Sequence, residues 1–486
     1  KTILSIWSFK RKSIPDGTIS KYKARLCAHG GMQTHGENYW DTYSPVVKWM
    51  SIRTMLTIAL IKKLHTRSID FTLAFPQADV DVEIFMTIPY GFKVVGGGNE
   101  RYVLELKKNL YGLKQAGKTW FEYLSTTLTQ DLGFTQSMVD QCVFYREGVV
   151  FIVWVDDCLC FHKNPKDADL LMKELMEKFT LTEEGELGLT AMEYLGVQMT
   201  RTRNNKFVLN QPFLINRIIQ AAKMEGSNPV KTPAEKGSLL FKDKEGAPRK
   251  TEWNYRSLIG MLSYLTGTRP DILFAVHNCA RFSTDPKLSH EKAVKRIIKY
   301  LIGTKDKGII LDPELSKGVE CFVDAGFAGD YHKDRSEDSE NLLSRTGYVI
   351  RLWNCPIIAV SKMMTEITLS TTEAEYVALS HSMRDVIPFL DFITEVTNYY
   401  ELDLDKPHVK CTLFEDNNGA LELAKSPKYR PRTKHIALKY HHFRDHVKRG
   451  LVKIFPVDTK EQVADIFTKP LDQQTFEYLR NLLLGW

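Results

Sequence analysis

The chain has 486 residues, of which 43% are hydrophobic and 26% charged, an ordinary globular balance that leaves room for two to four domains. No apolar run approaches the ~20 residues of a membrane-spanning helix, and the first residues carry no signal peptide. A net charge of +7 is compatible with a polyanionic partner, while eight scattered Cys, without a CxxC pair or a tight Cys/His cluster, argue against a zinc site and for a reducing compartment. The chain begins with Lys1 rather than Met, so it reads as a fragment or processed product of something longer.

Residues 1 to 50 alternate basic and aromatic positions: Trp7, Phe9, Lys10, Arg11 and Lys12, then Lys21, Lys23 and Arg25. Two strands around Pro15-Asp16-Gly17 would make a basic hairpin. The spacing over 51–64 predicts a core helix, and Ser68–Phe75 reads as a strand end carrying Asp70, with Phe75 five residues on. From Val149 to Val155 seven apolar residues run into Asp156 and Asp157, and a mostly apolar run follows, which predicts two strands with the carboxylates at the hairpin tip. By itself the pair reads more readily as a turn, where Asp is common. Adjacent like charges repel, however, and carboxylates suit hard Mg²⁺. With Asp70 they make three carboxylates, the minimum set for holding two metals on a triphosphate.

The stretch from about 205 to 310 reads as helical. Asn210-Gln211-Pro212-Phe213 opens an amphipathic run to Ile219, and Glu291–Leu301 pairs an apolar stripe with a Lys/Arg face. Lys242–Lys250 is a charged loop, and 303–318 a boundary. From 319 the pattern becomes a compact α/β order. The strand Val319–Val323 ends at Asp324, strands follow at Thr346–Ile350 and Ile357–Val360, and a helix opens at Ser370. A further strand, Cys411–Glu415, ends at Asp416, and a last helix holds Asp465. Glu373 can close a capping box with Ser370, and Glu375 with Thr372. Asp324 and Asp416 can serve as caps.

Four motifs carry a resemblance. Lys21-Tyr-Lys-Ala-Arg-Leu-Cys-Ala-His-Gly30, Asp70-Phe-Thr-Leu-Ala-Phe75, Asn109-Leu-Tyr-Gly-Leu-Lys-Gln-Ala-Gly117 and Trp154-Val-Asp-Asp157 closely resemble, in this order, the reverse transcriptase of copia-type LTR retrotransposons. The likeness continues through Tyr194-Leu-Gly196 and Tyr255–Ile272. Thr372–Leu379, Glu415–Ala420 and Ala464–Leu471 resemble the ribonuclease H of the same elements. Each motif alone is weak; in family order they are specific.

The resemblance implies an α+β chain, a right-hand polymerase of fingers, palm and thumb followed by an α/β ribonuclease H-like domain. Fingers and palm would span 1–205, thumb and connecting region 206–317, the ribonuclease domain 318–470 and a tail 471–486. It implies that Asp70, Asp156 and Asp157 hold the polymerase metals. Phe75 would crowd a ribose 2′-hydroxyl, Gln115 would lie beside the incoming nucleotide, and Lys23 and Arg25 would grip its phosphates. In the ribonuclease the ligands would be Asp324, Glu373 (Glu375 as second choice), Asp416 and Asp465, the last in a short helix after a loop and so the least anchored. Each site would take two Mg²⁺, with Mn²⁺ a possible substitute, to clamp the attacking and leaving oxygens of an in-line displacement.

The expected partners are an RNA template, a DNA primer, RNA–DNA hybrid and dNTPs, with no membrane. The expected context is a larger polyprotein with protease and integrase, in the cytoplasm within virus-like particles. The chain departs from the family pattern at His29 and Trp154, at Gly326, where a second Asp is frequent, and at Ala437 after Lys434-His435-Ile436. No His lies between 456 and 462, and His435 and His441 read as structural. The alternative is a degenerate or domesticated copy that binds nucleic acid without catalysis. Loss of a presumed carboxylate would favour it, and none of the seven is lost.

Overall fold

The computed structural model describes residues 2–13, 19–95, 98–187, 191–238, 240–329, 342–405, 408–425 and 438–486. The predicted Pro15-Asp16-Gly17 turn and Lys434-His435-Ile436 with Ala437 lie outside the described residues. The chain forms two compact units, Lys1–Lys48 with Lys62–Leu187, and Trp49–Ile61 with Gly188–Trp486. Helix α1 (Trp49–Lys62) is the predicted core helix, yet through Ile61 it groups with the second unit. Every residue from Met50 to Leu60 is buried, which makes it a helix enclosed on all sides. Arg53 is among them. It donates to the carbonyls of Ile357 (2.7 Å) and Gly267, and burial lowers its pKa to about 10.

In the first unit β1 (Ser5–Ser13) and β2 (Ile19–Ala28) form the predicted antiparallel ribbon, with Lys10 opposite Lys23, Ser8 opposite Arg25 and Trp7 opposite Leu26. Side chains alternate faces along a strand, so Lys10, Lys23 and Arg25 share one side and Trp7 and Phe9 the other. Strand β3 (His65–Phe71) leads into the short helix α2 (Ala74–Gln77). A second ribbon joins β4 (Phe85–Thr87) to β5 (Val103–Glu105), and α3 (Ala116–Thr126) follows. Then come β6 (Thr135–Gln136), β7 (Val143–Arg146), β8 (Val149–Trp154), β9 (Asp157–His162), helix α4 (Pro165–Lys178) and β10 (Leu181–Glu186). One antiparallel sheet results, in the order β10-β3-β9-β8-β7-β6. Phe71, Trp120 and Phe179 meet edge to face beneath it, burying the apolar sides of β3 and α3 together.

The second unit holds two sheets. β11 (Met192–Tyr194), β12 (Val197–Arg201), β13 (Phe207–Asn210) and β14 (Ile309–Leu311) make a small antiparallel sheet in that order. Between β13 and β14 lie α5 (Pro212–Ala221), α6 (Tyr255–Leu265), α7 (Leu273–Ala280) and α8 (Leu288–Ile302). The helical reading of 205–310 therefore holds for its interior but not its ends: Phe207 and Leu209 are buried at alternating positions, a strand period, and Phe207 pairs with Leu311.

The larger sheet consists of β15 (Val319–Gly326), β16 (Arg345–Leu352), β17 (Cys355–Met363), β18 (Cys411–Glu415) and β19 (Val452–Pro456), in the order β17-β16-β15-β18-β19. The first hairpins are antiparallel, whereas β15, β18 and β19 run parallel. The long helix α9 (Thr371–Tyr400) follows β17. The helices α10 (Asn418–Lys425), α11 (Arg444–Lys448) and α12 (Gln473–Leu484) complete the unit. Sheet and helices make this an α/β arrangement beside the antiparallel sheet of the first unit, so the chain is α+β as the resemblance implies.

Candidate active sites

The first candidate site lies at the β8–β9 hairpin. β8 ends at Trp154 and β9 opens at Asp157, leaving Val155 and Asp156 as the turn. Tight hairpin turns favour positive φ, and Val155 takes 56°, a strained value for a β-branched residue. Two hydrogen bonds hold the turn: Trp120 Nε1 donates to the Val155 carbonyl (2.8 Å), and the Phe71 N–H to the Asp156 carbonyl (2.9 Å). In register Asp70 stands opposite Asp157. Residues 70, 156 and 157 thus come to one end of one sheet.

Burial raises the Asp156 pKa and Asp70 adds to the rise, while Arg25 and Lys23 oppose it. The two cations expected to meet nucleotide phosphates therefore act on these carboxylates from the β1–β2 ribbon. The Arg25 guanidinium stacks over the Tyr111 ring at 4.7 Å, and Phe75 packs against the same ring at 5.2 Å. Sequence reasoning quoted Tyr111 within a motif but gave it no role. It reaches this place through close backbone contact: the Ala28 N–H donates to the Tyr111 carbonyl at 2.8 Å. A Cβ on Gly112 (φ 95°) would lie 2.2 Å from the Ala28 oxygen, and one on Gly30 would lie 2.0 Å from the Gly112 oxygen.

Gln115, expected beside the incoming nucleotide, has a bracing role in the fold. It is fully buried, its amide donating to the Asn38 carbonyl (3.1 Å) and Asp81 Oδ1 (3.2 Å) and accepting from Gln33 Nε2 (2.9 Å). With its hydrogen-bonding groups taken up internally, it braces the Gly30–Gln33 turn from behind.

The second site lies at the carboxyl ends of parallel β15 and β18, the edge where open α/β sheets bind ligands. Phe322 pairs with Phe414, so Asp324 and Asp416, two residues further on, end at the same level. Oxygens of Asp324, Glu375 and Asp416 lie within 4.8 Å of one another; among the described residues no other acidic, His or Cys group meets this criterion, so the hairpin carboxylates are more widely spread. Of the two glutamates weighed as ligands, Glu375, the second choice, and not Glu373 is the one that lies with Asp324 and Asp416. Residues two apart point to opposite sides of a helix, and Ser370 settles which faces the sheet. The Glu373 N–H donates to Ser370 Oγ (3.1 Å), and its carboxylate turns back to accept the Leu369 N–H (2.7 Å), so Glu373 caps α9. Glu375 then faces Asp324 and Asp416. Glu415, which sequence reasoning passed over as a strand residue, adds another buried carboxylate beside Asp416.

Asp465 joins this cluster from the 3-10 turn Val463–Phe467. It is not loosely held, contrary to expectation. Gln462 Nε2 donates to the Val323 carbonyl (2.7 Å), Ser361 Oγ to the Phe467 carbonyl (2.6 Å), and Thr468 Oγ1 to Asp324 Oδ2. Gly347 makes room for the turn, since a Cβ there would lie 2.5 Å from Thr468 Cγ2. At Gly326 a Cβ would stand 3.0 Å from the Thr468 oxygen. His441 Nδ1 lies 2.6 Å from the Tyr376 hydroxyl.

Electrostatically the cluster is crowded. Burial, then Glu415, Asp324 and Asp416, push Glu375 far above the carboxylate range, and burial does the same to Glu415. Burial and Asp324 raise Asp465 to about 7, against the pull of Lys469. Buried carboxylates in such number call for cations. The donor set fits a hard divalent ion: it is all oxygen, and Glu375 Oε2 is buried with no hydrogen-bond partner.

Residues 1–236 match the family described as reverse transcriptase (RNA-dependent DNA polymerase). The chain is 32% identical over 478 residues to the retrovirus-related Pol polyprotein from transposon RE1 of Arabidopsis thaliana, covering 97% of this chain and 31% of that protein. It is likewise 32% identical over 493 residues to the Pol polyprotein from transposon TNT 1-94 of Nicotiana tabacum, covering 98% and 35%. The chain thus spans about a third of the length of these relatives. Among solved structures, a foamy viral protease–reverse transcriptase in complex with double-stranded DNA superposes with a TM-score of 0.48 at 11% identity, over 94% of this chain and 67% of that one.

Proposed function

Because the chain is a relative of copia-type transposon Pol polyproteins and matches their reverse transcriptase over residues 1–236, we propose that it copies RNA into DNA and degrades the RNA of the resulting hybrid. What carries the reading is that two separate sheets each gather acidic residues from distant sequence positions at one edge. The first set is Asp70, Asp156 and Asp157; the second is Asp324, Glu375, Asp416 and Asp465. When bound, paired Mg²⁺ ions supply charge neutralisation and alignment for phosphoryl transfer at each site.

The protein's own groups do the rest. Lys23 and Arg25 bind the triphosphate of the incoming nucleotide and balance the hairpin carboxylates. Tyr111 holds Arg25 and Phe75 in place, and Phe75 excludes a ribose 2′-hydroxyl. At the second site Gln462, Ser361 and Thr468 fix the turn that presents Asp465. Preference for the RNA strand comes from 2′-hydroxyl contacts and duplex shape. RNA template, primer, hybrid and dNTPs are the partners in this reading, within a polyprotein whose particles reside in the cytoplasm. Primer extension on a poly(rA) or heteropolymeric RNA template, with cleavage of a labelled hybrid in parallel, tests it. A folded chain with neither activity in Mg²⁺ or Mn²⁺ would establish the non-catalytic alternative.

A further inference from the structure

The turn that presents Asp465 also carries a cation into the acidic cluster. Lys469 follows Asp465 by four residues, its N–H meets the Asp465 carbonyl at 3.3 Å, and its ammonium lies 2.8 Å from Asp465 Oδ1. Asp324 and Asp416 attract the same ammonium. Its side chain is 44% exposed while that of Asp465 is 6% exposed, so the lysine has a way out to solvent that its partner lacks. Thr468 next to it is tied to Asp324, which fixes the root of the lysine while its flexible stem stays adjustable.

We propose that Lys469 is a resident counter-cation of this cluster, and that a divalent ion loading on the Asp465 side must first displace its ammonium. The inference rests on the ribonuclease reading above. A Mg²⁺ ion bound about 2.1 Å from an Asp465 oxygen would stand close to an ammonium still paired to the same carboxylate. At that range the repulsion is several-fold stronger than in bulk water. The lysine therefore swings towards the rim as the ion enters, where a phosphate of the bound strand can become its new partner. The cluster gathers five carboxyl groups, Asp324, Glu375, Glu415, Asp416 and Asp465, and Lys469 is the cation paired with it in the absence of a metal ion.

The test measures ion binding rather than turnover. The full chain carrying Asp156→Asn, which silences the hairpin site, is titrated with Mg²⁺ by calorimetry and with Mn²⁺ by electron paramagnetic resonance. Lys469→Gln should tighten the weaker ion at the ribonuclease site about tenfold, and Lys469→Arg should resemble the parent. In EDTA, Lys469→Gln should melt below the parent, with saturating Mg²⁺ closing the gap. Unchanged or weaker ion binding in Lys469→Gln, together with lost binding in Glu375→Gln, overturns the counter-cation and leaves the ribonuclease reading standing. If Glu375→Gln also binds ions like the parent, the ribonuclease site itself is misassigned and the proposal falls with it.

Discussion

The two acidic sites balance charge in different ways. At the hairpin, half-buried Asp156 meets Asp70 on one side and the cations Arg25 and Lys23, from a ribbon far away in sequence, on the other. At the larger sheet, Asp324, Glu375, Glu415 and Asp465 are buried together, and the opposing cation Lys469 comes from the same turn as Asp465. On the reading proposed above, the first site would take a charged triphosphate with its balancing cations on a separate element, and the second would take a duplex with its cation on the turn that carries Asp465. Burial then makes the second site the more sensitive of the two to protons and metal ions.

Separating the two activities gives the largest expected effect. Asp156→Asn should lower RNA-templated DNA synthesis by about 10²–10³-fold or more while hybrid cleavage stays within a few-fold. Glu375→Gln should do the reverse. Equal loss of both activities in a folded variant would mean that the sites are not independent. Next comes Phe75→Val. Opening the space beside Tyr111 should shift the dNTP/rNTP ratio of kcat/KM towards ribonucleotides by about 1–3 kcal/mol; an unchanged ratio would make Phe75 a packing residue.

A pH effect should separate the sites more gently. Asp465 is raised to about 7, first by burial and then by Asp324, so the folded chain holds a proton there that the unfolded chain releases near pH 4. In EDTA this group's contribution to stability is therefore fully present below about pH 4 and lost as pH rises through 7. Binding of Mg²⁺ must expel the proton, so the gain in melting temperature on adding Mg²⁺ should be larger at pH 8 than at pH 6. The hairpin site, balanced by Arg25 and Lys23, should show little of this, and its Mg²⁺ dependence can be read from primer extension in the Glu375→Gln variant. A flat melting profile from pH 6 to 8 would contradict the crowded cage. The smallest effect is expected for Glu373→Gln. It should weaken the cap of α9, by about 1 kcal/mol, and leave cleavage within a few-fold.

Where the chain reads strand-then-acid, the sequence was enough. Asp70, Asp157, Asp324 and Asp416 stand at or beside the ends of strands that their own apolar runs define, and a strand end fixes where its last side chain goes. The choice between Glu373 and Glu375 was not readable. Both lie in the first turns of one helix, and which one faces the sheet depends on a cap that either pairing of Ser370 and Thr372 could make. The partners of Gln115 were not readable for a related reason: a motif gives a residue's neighbours along the chain, but Gln33, Asn38 and Asp81, which surround it, arrive from elsewhere. Tyr111, Glu415 and Lys469 lie inside the motifs themselves. Their roles emerge only from ring stacking, burial and an ion pair that folding creates.

Helix α1 sets a timing problem for synthesis. It leaves the ribosome inside the polymerase motifs, yet Arg53 bonds a carbonyl 304 residues later in the chain. At ordinary elongation rates that partner emerges about 15–60 s afterwards. For that interval a helix whose every side from Met50 to Leu60 is destined for burial has to wait without its partners. Nascent chains interrupted before Ile357 would expose this segment, which makes it a natural binding stretch for a holdase and the point from which truncated translation products would aggregate.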